Sequence, residues 1–431
     1  MKTNVGRIVL IWLAWVLIVI GFQAVAVMRF GPHWPDRALD WTAESTGRSY
    51  QKDNIFLLEP FMNNQVAWDS EYYLGIAVGG YDNVNIPALT NMGYAIPALD
   101  KRVAVEPGPG KRMSLSYAFL PFYPLMIRVM MVPLGVLGMN PIATASLAGV
   151  LVSALGALAG ALALYDLARG SLGEEGGLRA AFFLLIFPTG FFLVQVYSEG
   201  LFVGLAFSCL AMVRRGRWWP AALLAAAATL TRAVGVALLV PMVMEWFRSR
   251  DFYLLDLEWR QLFHQGIPWR PLARLLLVLA PLGTFLLWKY SYLGFAFSYI
   301  EAQFFGRGFM NIGGSLENWV GAFRSMLSMD SHQMSGYYVT EFLGIVLGFV
   351  AIWRCLKRDA QVGWFSLVVF LVSLSSGPAQ GMHRYVLAAP AVFISLADWG
   401  GDPRFERAWT IGSTLLMGML AAFFALNMWV A

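Results

Sequence analysis

An all-α polytopic membrane protein is the fold class this sequence predicts, and three observations predict it. Its residues are 58% hydrophobic and only 13% charged, with a mean hydropathy of +0.60, well outside soluble composition. Apolar runs recur along the chain, many of them near the roughly 20 residues that a bilayer crossing needs. Lysines and arginines gather on one set of connections, as they do on cytoplasmic loops. The net charge of +5 is accounted for by that gathering, so no nucleic-acid partner is expected.

The first apolar run, Ile8 to Met28, follows Lys2 and Arg7 and is read as the first transmembrane helix, with the N-terminus in the cytoplasm. Ala24 to Ala26 imitates a signal-peptidase site, but the run is longer than a usual signal h-region, which favours a retained anchor. Residues 29–141 then form a first extracytoplasmic loop far longer than an ordinary connection. Its short amphipathic pieces predict a structured cap with interfacial helices.

One stretch in this loop decides the topology. "FLPFYPLMIRVMMVPLGVLG", residues 119–138, holds Pro121, Pro124 and Pro133, and Arg128 would sit near the bilayer centre if it crossed. That would cost roughly 2.5–3.5 kcal/mol on insertion scales, so the stretch is read as re-entrant or interfacial. The charge distribution tests the choice. Without a crossing here, fifteen basic residues after residue 139 fall on the cytoplasmic side, among them Arg169, Arg214, Arg215, Arg354 and Arg358. Only five, Arg232, Lys289, Arg307, Arg324 and Arg384, fall on the other.

Residues 142–431 are then the rest of one transmembrane bundle. The spans are 142–168, 180–197, 199–213, 218–232, 233–247, 272–296, 339–354, 361–376, 384–399 and 409–430, about eleven with the first. Those between 218 and 247 are short for a straight crossing and predict kinked or partial helices. Small residues in "GVLVSALGALAGALAL" suit close helix packing.

Cys209 and Cys355 lie in or at the end of apolar segments and are read as packing residues. His33, His264, His332 and His383 are scattered, with no metal-ligand spacing. No protein-held metal and no cofactor is expected, and no glycine-rich phosphate loop or soluble α/β domain is present to bind a nucleotide.

The topology sends polar groups from four segments to one face: Asp69, Glu71 and Tyr81 in "AWDSEYYLGIAVGGYD", Tyr197 to Glu199 in "VYSEG", Thr231 and Arg232 in "LTRAVG", and His383 to Tyr385 in "GMHRYV". At these residues the chain resembles the PIG-V family of membrane mannosyltransferases. The resemblance runs in order through "WDSEYYLGIAVGGY", "FLPFYPLMIR", "FPTGFFLVQVYSEGLF", "RRGRWWPAALLAAAATLTRAVGVALLVPMVMEW" and "HRYVLAAPAVF". Two departures stand out: Ala67 where the family commonly has a basic residue, and a longer segment between Tyr81 and Phe119.

The resemblance implies a GT-C type fold and an enzyme that moves a sugar, mannose first among them, from a polyprenyl-phosphate donor to a glycolipid or other glycan acceptor. An integral membrane protein with an extracytoplasmic active site follows, and the compact chain with short loops suggests a bacterial plasma membrane. Such a donor already carries its leaving group, so the protein must deprotonate an acceptor hydroxyl, align it and stabilise the departing phosphate.

By resemblance Asp69 is the candidate base. The plain alternative makes it the N-cap of a helix from Ser70 to Val78, ended by Gly79 and Gly80. Arg232, Arg384 and His383 are the candidate phosphate-binding residues, the alternative for the arginines being snorkelling to the interface. Trp68, Tyr72, Tyr73, Tyr81, Tyr123, Glu199 and Tyr385 are candidates for the sugar and acceptor pocket. The tyrosines are equally suited to the membrane interface, and Glu199 to pairing with one of the arginines. Glu71 points elsewhere on the helix and is read as solvated. A lipid or sugar-lipid transporter, or a non-catalytic family member, is the rival reading; a transporter predicts internal repeats and midplane charges.

Overall fold

The computed structural model of the chain describes residues 2–31, 35–47, 55–89, 95–96, 113–249, 269–308, 310–328 and 331–431. Helices dominate it, as an apolar chain that must satisfy its own backbone requires. The first, Lys2–Arg29, contains the first apolar run. Pro141–Leu185 is a helical hairpin rather than one rod. Gly173 has φ 73° and ψ 179°, and a Cβ on Gly177 would stand 2.9 Å from the Tyr165 carbonyl oxygen, whereas those residues would be about 18 Å apart along a straight helix. The two arms correspond to the spans expected at 142–168 and 180–197, the second finishing in the 3-10 turn Gly190–Val194.

Among the described residues, 4 helical stretches are long and apolar enough to cross a membrane: Asn4–Arg29, the hairpin Pro141–Leu185 counted once, His332–Arg358 and Pro403–Ala425. The pair Leu272–Val278 and Ala280–Lys289, bent by 54°, makes up to 5. The sequence count of about eleven treated each apolar run as a crossing. Several runs instead become short helices, including Trp218–Thr231, Ala360–Leu374 and Pro390–Trp399. Their breaks have local causes: Gly216 at φ 63° and Gly381 at φ 80°, extended backbone at Arg232, and Pro390, whose ring forbids continuation of a preceding helix.

Within the region 29–141 the described residues include the helices Asp40–Gly47, Ile55–Leu58, Ser70–Gly79 and Phe122–Leu134. The region also holds a three-stranded antiparallel sheet that the sequence did not predict, because its strands have two residues each, too few to show a period. β1 (Ala88–Leu89) lies between β2 (Ala95–Ile96) and β3 (Met113–Ser114), with Ala88 opposite Ile96 and Ser114. Arg128 explains its place in an apolar helix. Its Nε donates to the Ala77 carbonyl at 2.9 Å and Nη2 to that of Ile76 at 3.0 Å, so it satisfies the carbonyl end of the helix Ser70–Gly79.

The bundle's two ends differ. Arg215 pairs with Asp166 at 2.7 Å, Arg354 with Asp398 at 2.8 Å, Arg358 with Asp398 at 2.6 Å, and Arg214 with Asp359. These are arginines that the charge count placed together. Glu199 and Arg214 are the two ends of one helix, so the groups described next lie at the other end.

Candidate active site

The segment before the helix Ser70–Gly79 is fastened to the bundle by its backbone. Val196 N–H donates to the Gln65 carbonyl at 3.1 Å, and Asp69 N–H donates to the Tyr197 hydroxyl at 3.2 Å. Beneath them the side chains of Gln23, Gln65 and Gln195 bond to one another at 3.1–3.3 Å in the interior. Ala67 is 1% exposed, which leaves no room for the basic side chain common there in the resembled family. Trp68 adopts φ 52°, a conformation that disfavours a bulky residue, and its ring packs edge-on against Trp41 and Trp429, with centroids 5.8 and 5.2 Å apart.

Asp69 occupies the N-cap position, yet its side chain makes no cap hydrogen bond. Its Oδ2 accepts instead from Arg384 Nη1 at 3.3 Å. Arg384 Nε in turn lies 3.4 Å from Glu199 Oε1, off hydrogen-bond alignment. The same carboxylate oxygen pairs with Arg232 Nη1. Glu199 opens its helix, where the N-terminal dipole favours an anion. Arg232 is available because the backbone is extended there, between the helix Trp218–Thr231 and the 3-10 turn Ala233–Leu238. Both guanidiniums lie over the Tyr385 ring, at 5.1 Å for Arg232 and 5.4 Å for Arg384. The Arg384 and Glu199 side chains are 5% and 4% exposed, that of Asp69 29%. A reachable carboxylate therefore stands on a buried charged base, an arrangement that can accept a proton from outside and stabilise an anion beside it.

The remaining candidates divide. Tyr73 donates to Ser198 Oγ at 3.0 Å, and Ser198 Oγ also accepts from Arg232, so Tyr73 belongs to the cluster. Tyr72 stacks on Phe119 at 4.6 Å. Tyr81 donates to the Phe119 carbonyl at 2.9 Å, which holds the same wall. Tyr123 is 0% exposed and bonds Gly149 and Ser153; it supports the site from behind. His383 is buried with Nδ1 3.1 Å from Glu341 Oε2, so its position is set by that acid rather than by the arginines.

Glu71 is not solvated. It is 5% exposed, and burial pushes its carboxyl up to about 8. It shares a helix face with Gly75 at i+4, and a Cβ at Gly75 would meet Ile86 at 2.8 Å and Phe56 at 3.6 Å. The cap itself covers this face.

Three further charged residues, not among the site candidates read from the sequence, adjoin this cluster. Glu341 is 0% exposed; its carboxylate accepts from Tyr337 and from the backbone N–H of Gly381 and His383, fixing the turn that presents Arg384. An acid inside the predicted span 339–354 was the signal for it. Arg307 Nη1 donates to the Tyr385 hydroxyl at 3.0 Å. Glu301 lies near Arg307, and burial pushes its carboxyl up to about 7. Arg307 had only its place among the five basic residues of the outer face as a signal, and Glu301 had none. Among the described residues, no three histidine, cysteine or acidic side chains converge as metal ligands would.

Comparison with known proteins adds the following. A family model described as mannosyltransferase (PIG-V) matches residues 106–303; Glu199 and Arg232 lie inside that segment, Asp69, Arg307 and Arg384 outside it. The mouse GPI alpha-1,6-mannosyltransferase 2 is 28% identical over 225 residues, 51% of this chain and 37% of the mouse protein. Its counterpart from Cricetulus griseus is 29% identical over 185 residues, 42% of this chain and 31% of that one. The chain thus spans about a third of the length of these curated relatives. ArnT from Cupriavidus metallidurans bound to undecaprenyl phosphate aligns with a TM-score of 0.47 at 17% identity, over 84% of this chain and 61% of ArnT. The Archaeoglobus fulgidus oligosaccharyltransferase aligns with a TM-score of 0.40 at 14% identity, over 86% of this chain and 52% of that one. The likeness to the PIG-V mannosyltransferases thus covers residues 106–303, a little under half of the chain.

Proposed function

We propose that the protein is an inverting, metal-independent glycosyltransferase of GT-C type that moves mannose from a polyprenyl-phosphate donor to an acceptor hydroxyl. The observation that carries this reading is the accessible Asp69 carboxylate held 3.3 Å from the buried Arg384, with Arg232 beside it on Glu199. In the reaction Asp69 takes the hydroxyl proton as the acceptor oxygen attacks the anomeric carbon. The bond from that carbon to the phosphate oxygen breaks, its electron pair leaves on the polyprenyl phosphate, and the arginine cluster stabilises the charge. Attack opposite the leaving group turns a β-linked donor into an α-linked product.

The cluster lies at the bundle end away from the paired arginines. The positive-inside bias therefore supports an extracytoplasmic site with the N-terminus in the cytoplasm, where a long isoprenoid tail stays in the bilayer as its sugar reaches the interface. Trp68, Tyr72, Tyr73, Tyr81 and Tyr385 supply aromatic surface around the cluster. The acceptor is a glycolipid, polysaccharide precursor or protein side chain. Much of the segment 82–118, where its selection is expected, lies outside the described residues.

The test is transfer of label from polyprenyl-phosphate mannose by purified protein in lipid nanodiscs. Wild type should yield a mannosylated product, and Asp69→Asn should fold normally and yield none. Equal transfer by both proteins refutes the assignment of the base.

A further inference from the structure

The three arginines of the cluster are not equivalent in charge. Glu199 offsets Arg232, and Arg384 sits between Glu199 and Asp69. Arg307 has no carboxylate oxygen within 4.0 Å among the described residues. Its Nη1 donates to the Tyr385 hydroxyl, and its Nε is buried without a hydrogen-bond partner. A buried, unsatisfied guanidinium N–H is costly unless a ligand completes it.

The backbone holds this arginine in place. Arg307 N–H donates to the Glu301 carbonyl and Gly308 N–H to that of Ser376, both at 2.8 Å. Asn318 Nδ2 donates to the Gly377 carbonyl at 3.0 Å. Gly377, at φ 129°, approaches so closely that a Cβ there would stand 2.4 Å from the Gly306 oxygen. The loop bearing Arg307 is thus fastened to the segment that leads into Arg384 and Tyr385, and Tyr385 touches all three guanidiniums.

We propose that Arg307 is the principal ligand of the donor phosphate, while Arg384 is a positioning residue that holds Asp69. This rests on the reading of the site as polyprenyl-phosphate-dependent. The planar fork of an arginine with no carboxylate oxygen in ion-pair contact among the described residues suits a phosphate ester, and Arg384 is already occupied by the base it orients. The ligand class is a phosphate monoester or diester bearing a lipid chain.

The experiment titrates sugar-free polyprenyl phosphate, and separately inorganic phosphate, into the protein in nanodiscs, and pairs this with kinetics. Arg307→Gln should weaken polyprenyl-phosphate binding about tenfold or more and raise the donor KM, and Arg307→Lys should recover part of the loss. Arg384→Gln should lower kcat while leaving polyprenyl-phosphate affinity within about threefold. Unchanged thermal melting of Arg307→Lys keeps the comparison free of misfolding. If wild type binds polyprenyl phosphate and Arg307→Gln binds it equally well, the assignment of Arg307 is overturned and the function stands. If wild type does not bind it at all, the functional reading falls and takes this inference with it. Inorganic phosphate binding as tightly as the lipid overturns the lipid-linked source.

Discussion

The carboxylate of Asp69 and the guanidinium of Arg384, 315 residues apart in sequence, meet at 3.3 Å. The first-loop helix and the turn before the helix Pro390–Trp399 are thereby tied at the carboxylate proposed as the base. Removing that carboxylate should be far more damaging to turnover than to stability. Asp69→Asn should lower kcat by roughly 10²–10⁴ with its melting temperature near that of wild type, since the Asp69 side chain is 29% exposed. Steady-state kinetics and a melting curve on one preparation check both halves.

Glu199 should behave in the opposite way. It is buried and serves both Arg232 and Arg384. Glu199→Gln leaves the buried Arg384 and the partly buried Arg232 short of a counter-charge, a loss of about 3–5 kcal/mol by comparison with other broken buried pairs. Chemical unfolding in detergent should show it less stable than Asp69→Asn. If the two variants unfold together, the network is not what holds this end of the bundle.

The turn carrying His383 and Arg384 depends on Glu341. Its carboxylate receives two backbone N–H groups and a tyrosine hydroxyl. Glu341→Ala strands those donors and should destabilise by about 3 kcal/mol or more, with a raised donor KM. Glu341→Gln keeps one acceptor oxygen and should lie between. A Glu341→Ala protein with wild-type KM and melting temperature would show that the turn holds without it.

Glu71 gives a pH dependence of stability. Its carboxyl rises from an ordinary value of 4.5 to about 8 because it is buried, and its Oε2 has no hydrogen-bond partner. Between those values the folded state keeps a proton that the unfolded state has released. Its stabilising contribution is therefore complete below 4.5 and is lost as pH rises through 8. Glu71→Gln removes this loss, so its melting temperature should gain on wild type between about pH 5 and about pH 9. Parallel curves would mean that Glu71 is already ionised in the folded protein.

What the sequence made legible here followed from contrast. Asp69, Glu199, Arg232 and Arg384 are conspicuous as charges beside apolar runs, and the geometry brings all four together. Which arginine pairs with which acid is a tertiary matter that no local pattern encodes, so neither Arg307 nor Glu341 was singled out for the site. Glu71 was misplaced for a related reason: helix periodicity gave its face correctly, but that Phe56 and Ile86 cover that face depends on chain segments far from it. Hydropathy reports composition and not continuity: Gly216, Arg232 and Pro390 interrupt the apolar runs, so among the described residues several of the expected spans are short or broken helices.

The small-residue stretch was legible as packing, and it leads to a prediction about activity at a distance. A Cβ on Gly156 would stand 2.4 Å from the Gly200 carbonyl oxygen, and one on Gly204 would stand 2.5 Å from that of Gly156. The hairpin arm and the helix Glu199–Arg214 therefore touch backbone to backbone, the close approach that small residues permit. Gly156→Ala must push the two apart, at a cost of about 1–3 kcal/mol for overpacking. Because Gly200 follows Glu199, the shift moves the carboxylate on which Arg232 and Arg384 rest, and kcat should fall together with stability. Gly170 is the control. It is helical with nothing within 4 Å of its would-be Cβ, so Gly170→Ala should stabilise by about 0.5–1 kcal/mol and leave kcat unchanged. Equal kinetics for the two variants would sever helix packing from the geometry of the arginine cluster.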